Sequence, residues 1–291
     1  MPRPAISGFT FVRNAVLLDF PIVEAIRSIL PLCDEVVVNV GRSEDETLDL
    51  VRGIGDPRIR VLETEWDFSR REHLLADETL RTQRACRHPW GVYIQADEVL
   101  HEIGLPVIRQ AIDEVDDDPR VEGLVVRYRH FFGDPFTEAV NRRWYRHEIR
   151  VIRLDPGLDI HPFRDAQGFR VGPEHRRTRC RLTAAEMYHY GWARSANALR
   201  GRKQEDRKLY LRTVHDPAAH QPLLTWFPGL RPFTGQHPAV AHEWVERHRH
   251  DPDRTLSAPR FEWNQLRFYA SDLIERLTGR RLFGFRNYRE V

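Results

Sequence analysis

Three observations predict an α/β fold with helices on both faces of a mostly parallel central sheet. Roughly the first hundred residues alternate strand-like and helix-like hydrophobic periods. Two of the strand-like runs, Val36-Val37-Val38-Asn39-Val40 and Trp90-Gly91-Val92-Tyr93-Ile94, are nearly continuous in apolar residues, the pattern of strands covered on both faces. The second run stops abruptly at Gln95-Ala96-Asp97-Glu98. In open α/β sheets ligands gather beyond the carboxyl ends of the strands, so the acidic pair marks the first place to look for chemistry.

The elements follow in order. Ile6 and the run Phe9 to Val12 predict the first strand. Pro21 suits a helix start, and Ile22, Ala25, Ile26, Ile29 and Leu30 then repeat at helical spacing until Pro31 and the Cys33-Asp34 region end the helix. After the second strand comes the polar loop Gly41 to Glu46, whose Ser43 or Asp45 can cap a helix carrying Leu48 and Val51. Ile59 to Leu62 predicts a third strand, and a long helix is expected from about Ser69 to Cys86, before the fourth strand at Tyr93. Repeated strand–helix–strand units imply right-handed crossovers and a parallel sheet. Beyond Asp97 a helix is expected from Pro106 to Val115, and strands at Val121 to Tyr128, Ile149 to Leu154 and Met187 to Trp192, with Gly-, Pro- and Arg-rich loops between them. Arg194 to Tyr210 reads as helix, and two more helices fall near Ala239–Arg247 and Trp263–Leu277. No repeat or low-complexity linker divides the chain. It is expected to be one domain over residues 1–215, with a helical C-terminal extension over 216–291 packed on it.

Composition narrows the function classes. With 291 residues, 41% hydrophobic and 30% charged, the chain can bury a sizeable core. A net charge of +2, with 43 acidic residues interspersed among the basic ones, argues against a nucleic-acid partner. Arginine dominates the cations, and Lys203 and Lys208 are the only lysines, a bias that fits a GC-rich, bacterial genome. Cys33, Cys86 and Cys180 lack the pairing of a disulfide framework or a zinc cage, and Cys33 is expected in the core. No run approaches the ~20 apolar residues of a transmembrane segment, and no apolar signal core follows Met1; the expected location is cytoplasmic. A dinucleotide-binding G-x-G-x-x-G and a P-loop are both missing.

Several local motifs, in order and spacing, carry a resemblance. Phe11-Val12-Arg13-Asn14, the strand and loop Val37 to Thr47, Trp66-Asp67-Phe68-Ser69-Arg70-Arg71, Gln95-Ala96-Asp97-Glu98, Asp165-Ala166-Gln167-Gly168-Phe169-Arg170 and Tyr188-His189-Tyr190-Gly191-Trp192 span residues 6 to 210. Together they resemble glycosyltransferases of the GT-A fold, near family 2. The resemblance implies a Rossmann-like three-layer sandwich and transfer of a sugar from a nucleotide-diphosphate donor to a glycan or small-molecule acceptor, as in polysaccharide biosynthesis. It also implies inversion at the anomeric carbon and a metal, Mn²⁺ or Mg²⁺. Two positions depart from the family pattern: Gln95 stands where the first acid of Asp-x-Asp is usual, and Asn39 replaces an acid that faces the ribose or base. Both keep an amide, which can retune nucleotide and metal binding, or mark a non-catalytic nucleotide-sugar- or glycan-binding relative. A sugar-phosphate nucleotidylyltransferase, the nearest enzymatic rival, would show a Gly-rich N-terminal loop that Phe9 to Asn14 does not offer.

The chemistry assigns candidate roles. The leaving diphosphate gains negative charge as the glycosidic bond breaks, so a cation beside it lowers the barrier. Asp97 is the candidate metal ligand, with His189 as the ligand that the resemblance implies; a backbone-bonded strand histidine is the structural alternative. Glu98, on the opposite face of an extended chain, orients the site or touches the donor sugar. Arg13, Arg71 and Lys203 are candidates for the diphosphate, while Asn14, Asn39 and Gln95 complete the nucleotide-sugar set. Asp165 is the first choice for the base that takes the acceptor proton, ahead of Glu174 and Glu148. Trp144 and Tyr145, beside Arg142-Arg143, either stack on an acceptor sugar or pack internally. Trp263, Phe268 and Tyr269 are the candidates for a homodimer contact.

Overall fold

The structure, a computed structural model, describes residues 3–70, 73–164, 166–201, 223–260, 263–278 and 285–291. Strands β1 (Ile6–Val12), β2 (Glu35–Gly41), β3 (Ile59–Thr64) and β4 (Trp90–Tyr93) lie in the order β3-β2-β1-β4 and are parallel throughout. Helices α1 (Ile22–Ile29), α2 (Thr47–Arg52) and α3 (Leu74–Ala85) make the crossovers between them. The apolar runs are continuous because both faces are covered. Val36, Val38 and Val40 pack with Ile22, Ile26 and Val51 on one side, while Val37 joins Phe9, Tyr93 and Phe169 on the other.

The second half of the sheet is mixed. After β4 the path runs through β8 (His147–Arg153), β6 (Gly123–Phe132), β11 (Arg176–Trp192), β10 (Gly168–Val171) and β9 (Ile160–Phe163). β8 pairs antiparallel with both β4 and β6, whereas β6 and β11 are parallel. The antiparallel step arises because β6, β7 (Asp134–Ala139) and β8 are joined by turns too short for a crossover. Gly133, at φ +82°, makes the tight β6–β7 turn in a region that side chains rarely enter. Helix α4 (Gly104–Val115) adds Ile108 and Ile112 to the α1 side of the core, while α3 covers the opposite face through Glu78 and Ala85, so the sandwich has three layers.

Most predicted elements are present, with three differences. The acidic turn after β4 runs directly into a short strand, β5 (Glu98–Leu100), which pairs antiparallel with β11 at Met187 to His189. The segments expected as loops contain β7, β9 and β10, and β11 is 17 residues long rather than the short run ending at Trp192. The C-terminal region contains the helices His242–Arg247 and Leu266–Thr278, but it also lends β12 (Leu230–Pro232) to β7 and β13 (Tyr288–Glu290) to β11. The extension is therefore woven into the sheet instead of lying on it. The helix expected to reach Tyr210 is described over residues 196–201 only. Cys33 is buried, and among the described residues no helix is long and apolar enough to cross a membrane.

Candidate functional site

The acid motif forms a closed turn at the carboxyl end of β4. The Glu98 N–H donates to the Gln95 carbonyl at 3.0 Å, and the Glu98 carboxylate reaches back to accept from the Gln95 N–H at 3.0 Å. The Tyr190 N–H donates to the Asp97 carbonyl at 2.8 Å, which ties the turn to β11. Between these anchors the Asp97 side chain, 16% exposed, lies with Oδ2 3.4 Å from Nε2 of His189. Gly191 roofs the pair: a Cβ there would stand 2.4 Å from Asp97 Oδ2 and 2.9 Å from His189 Nε2, so only glycine lets the two side chains occupy this space.

Glu98 takes the opposite direction. Fully buried, it holds Arg150 by two bonds, 2.9 Å from Nε and 2.7 Å from Nη2, and accepts from the Tyr128 hydroxyl at 2.6 Å. Arg150 lies 5.2 Å from the ring centres of both Tyr93 and Tyr128 and donates to the Gln167 carbonyl at 2.8 Å. Burial pushes the Tyr93 hydroxyl up to about 12 and Tyr128 well above its ordinary range. Of the two roles expected for Glu98, orientation fits this geometry, because no face of the carboxylate is left to meet a sugar.

The other predicted residues divide sharply. The Gln95 amide donates to the Ala166 carbonyl at 3.3 Å, which brings the loop following Asp165 against the acid turn. Asp165, Arg71 and Lys203 themselves lie outside the described residues. Arg13 donates to the Arg42 carbonyl and to Glu44, and lies over the Phe68 ring at 5.2 Å. Asn14, fully buried at φ +53°, accepts from the Glu44 N–H, while its Nδ2 has no hydrogen-bond partner. Asn39 is also buried, and its amide is consumed by Glu78 of α3 at 2.8 Å and the Thr64 hydroxyl at 2.7 Å. That network, built by α3 crossing β2 and β3, takes Asn39 away from any ribose.

The rivals for the base fare differently. Glu148 is 1% exposed and accepts from Asn287 Nδ2 at 2.5 Å, so it meets no acceptor; burial pushes its carboxyl up to about 7. Glu174 is exposed, in the turn before β11. Trp144 and Tyr145 pack internally against His130, with ring centres at 5.0 and 4.6 Å. Phe268 is buried with Arg142 and Arg267 over its ring, whereas Trp263 and Tyr269 are exposed.

Reading the sequence missed His130, Arg150 and Tyr128. Tyr128 and His130 alternate within β6 and therefore share a face, a period-2 signal that was available. Arg150 gives no such signal, because its partner lies 52 residues earlier.

Among the described residues no three His, Cys, Asp or Glu side chains converge on one point. Asp97 and His189 nonetheless fit a divalent ion: a hard carboxylate oxygen and an imidazole nitrogen, side by side at a strand end, leave the remaining positions to water and phosphate oxygens.

No family model and no curated protein matches the chain. Among solved structures it is similar to residues 1–349 of S. aureus TarS, at 14% identity and a TM-score of 0.44, over 72% of this chain and 67% of that one. It is also similar to the same protein in complex with UDP-GlcNAc, at 16% identity and a TM-score of 0.36, over 44% and 35% of the two chains. A third likeness is to glucosyl-3-phosphoglycerate synthase from Mycobacterium tuberculosis in complex with Mn²⁺, UDP and phosphoglyceric acid, at 19% identity and a TM-score of 0.31, over 44% and 43%. The chain thus spans between about a third and two thirds of the length of these structures. Such scores place it in no family. Its own sheet order, parallel β3-β2-β1-β4 continued by a mixed half, with the acid turn closing β4, defines a GT-A-like α/β fold.

Proposed function

We propose that this chain is a glycosyltransferase that moves a sugar from a nucleotide-diphosphate donor to a glycan or small-molecule acceptor, with inversion and with help from Mn²⁺ or Mg²⁺. The observation that carries this reading is the Asp97–His189 pair, 3.4 Å apart under Gly191 at the carboxyl end of the parallel half-sheet. Asp97 and His189 would hold the ion, whose chemistry is to neutralise the charge growing on the leaving diphosphate. The Glu98–Arg150 pair fixes the turn that presents Asp97. Gln95 contributes an amide beside the loop that follows Asp165, and Asp165 is assigned the acceptor proton. Arg71 and Lys203 remain the candidates for the diphosphate. The exposed Trp263 and Tyr269 are assigned to contact between two copies.

A second reading, a nucleotide-sugar- or glycan-binding relative without turnover, is favoured by the complete use of the Asn39 amide inside the fold. Thermal stabilisation against UDP-, GDP-, dTDP- and CDP-sugars, each with and without Mn²⁺, separates the two. A ligand that binds only the native state adds about 2.7 kcal/mol at a hundredfold excess over Kd. The expected result is a metal-dependent shift with one nucleotide, abolished by Asp97→Ala, followed by turnover that Asp165→Asn removes while donor binding is kept. A shift without turnover would establish the binding protein, and no shift with any donor would remove the transferase.

A further inference from the structure

The Asp97–His189 pair is one end of a longer hydrogen-bonded line. Nδ1 of His189 stands 3.1 Å from Nδ1 of His130, and Nε2 of His130 stands 2.7 Å from the Tyr145 carbonyl oxygen. A carbonyl oxygen only accepts, so His130 carries its proton on Nε2. With one proton per ring, His130 Nδ1 is then a lone pair, and His189 supplies the hydrogen between the two rings. This leaves the other nitrogen of His189, Nε2, as a lone pair facing Asp97 Oδ2 at 3.4 Å. Two acceptors fixed side by side repel each other unless a proton or a metal ion lies between them, and this is the arrangement in which a divalent ion finds both lone pairs ready.

The line is built into the fold. His130 and His189 are register partners in the parallel β6–β11 ladder, so their rings meet by strand pairing. The His130 ring is 3% exposed and held among Tyr128, Trp144 and Tyr145, with ring centres at 5.3, 5.0 and 4.6 Å. The His130 ring cannot turn over without breaking this cage, and it meets the His189 ring edge to face with centres 5.0 Å apart.

We propose that His130 is a positioning residue: it fixes the tautomer and the ring of His189 so that the Nε2 lone pair joins Asp97 as half of a divalent-cation site. The purpose rests on the metal-assisted reading above, while the hydrogen bonds do not. A partner that orients a metal-binding histidine in this way typically changes metal affinity 10–100-fold when removed.

The test uses the whole chain with ¹⁵N-labelled histidine. Two-bond ¹H–¹⁵N correlation of the metal-free protein reads the tautomer directly, and Mn²⁺ titration followed by electron paramagnetic resonance reads affinity. His189 is expected as the Nδ1–H tautomer in the wild type. His130→Phe keeps an aromatic ring in the cage but loses both nitrogens, so the Nε2–H form of His189 should appear and Mn²⁺ affinity should fall roughly 10–100-fold. His130→Gln can accept from His189 and donate to the Tyr145 carbonyl, so it should restore both readouts. An Nε2–H tautomer in the wild type overturns the proposal, as does Mn²⁺ affinity in His130→Phe equal to wild type. A wild type with the expected tautomer that binds no Mn²⁺ upholds the positioning role and removes the metal-assisted function instead.

Discussion

Asp97 and Glu98 are adjacent carboxylates with opposite fates. The sequence predicts opposite faces for the two, and they do face apart, but through a turn rather than an extended chain. The Glu98 N–H closes on the Gln95 carbonyl, leaving Asp97 at the rim and Glu98 at the start of β5 in the core. What could not be read was the counter-charge, because Arg150 reaches Glu98 only once β8 has entered the sheet. The two residues should therefore respond differently to truncation. Glu98→Ala leaves a fully buried guanidinium unpaired, which costs about 3–5 kcal/mol. Asp97→Ala removes a partly exposed side chain outside the core and should change stability by less than about 1 kcal/mol while abolishing metal-dependent donor binding. Equilibrium urea denaturation of both variants checks the contrast, and equal losses would mean that Asp97 is structural.

At the scale of elements, the well-read parts are those whose periodicity is set by two covered faces. β1, β2 and β4 were recognisable because burial on both sides forces apolar runs, whereas β3, at the sheet edge and only partly covered, showed itself by the alternation Ile59, Val61. β7, β9 and β10 were not recognisable, since they are only four to six residues long and each holds a strand-weakening residue, Pro135, Pro162 and Gly168. β11 hid for another reason: register shifts between Leu182 and Glu186 and between His189 and Trp192 break its alternation. The second irregularity shapes the candidate site, because Tyr190 there bonds to the Asp97 carbonyl while Gly191 passes over the carboxylate. Gly191→Ala should displace Asp97 or His189 and lower Mn²⁺ affinity at least about tenfold. Gly191 is not at positive φ, so the chain itself tolerates alanine and the melting temperature should move little. Titration calorimetry with Mn²⁺ and a thermal melt measure the two effects separately, and an unchanged affinity would place the ion elsewhere.

Across the whole molecule, the C-terminal segment reaches back into the core. β13 pairs with the start of β11, and Asn287 places its amide on the buried Glu148. Burial holds the Glu148 carboxyl at about 7, above its ordinary 4.5, so the folded state binds this proton more tightly than the unfolded chain does. Its contribution to stability is therefore complete below pH 4.5, declines as pH rises from 4.5 to about 7, and is flat beyond, a loss of at most about 3 kcal/mol. His237 has the opposite sign. Burial lowers it from 6.5 to about 4, so its contribution is complete above pH 6.5 and is lost as pH falls toward 4, on the order of 2 kcal/mol after solvent screening. Between pH 4.5 and 6.5 the two slopes oppose each other and hide in the wild type. Glu148→Gln separates them, because a Gln Oε1 can still accept from Asn287 and from the Ile149 N–H. Groups common to both proteins cancel in the difference between variant and wild type. That difference should be near zero at pH 4.5 and should grow to about 1–3 kcal/mol in favour of the variant at pH 8, about 2–4 °C or more in melting temperature. Parallel pH profiles for the two proteins would mean that Glu148 titrates as an ordinary carboxylate and that the C-terminal segment does not seal it.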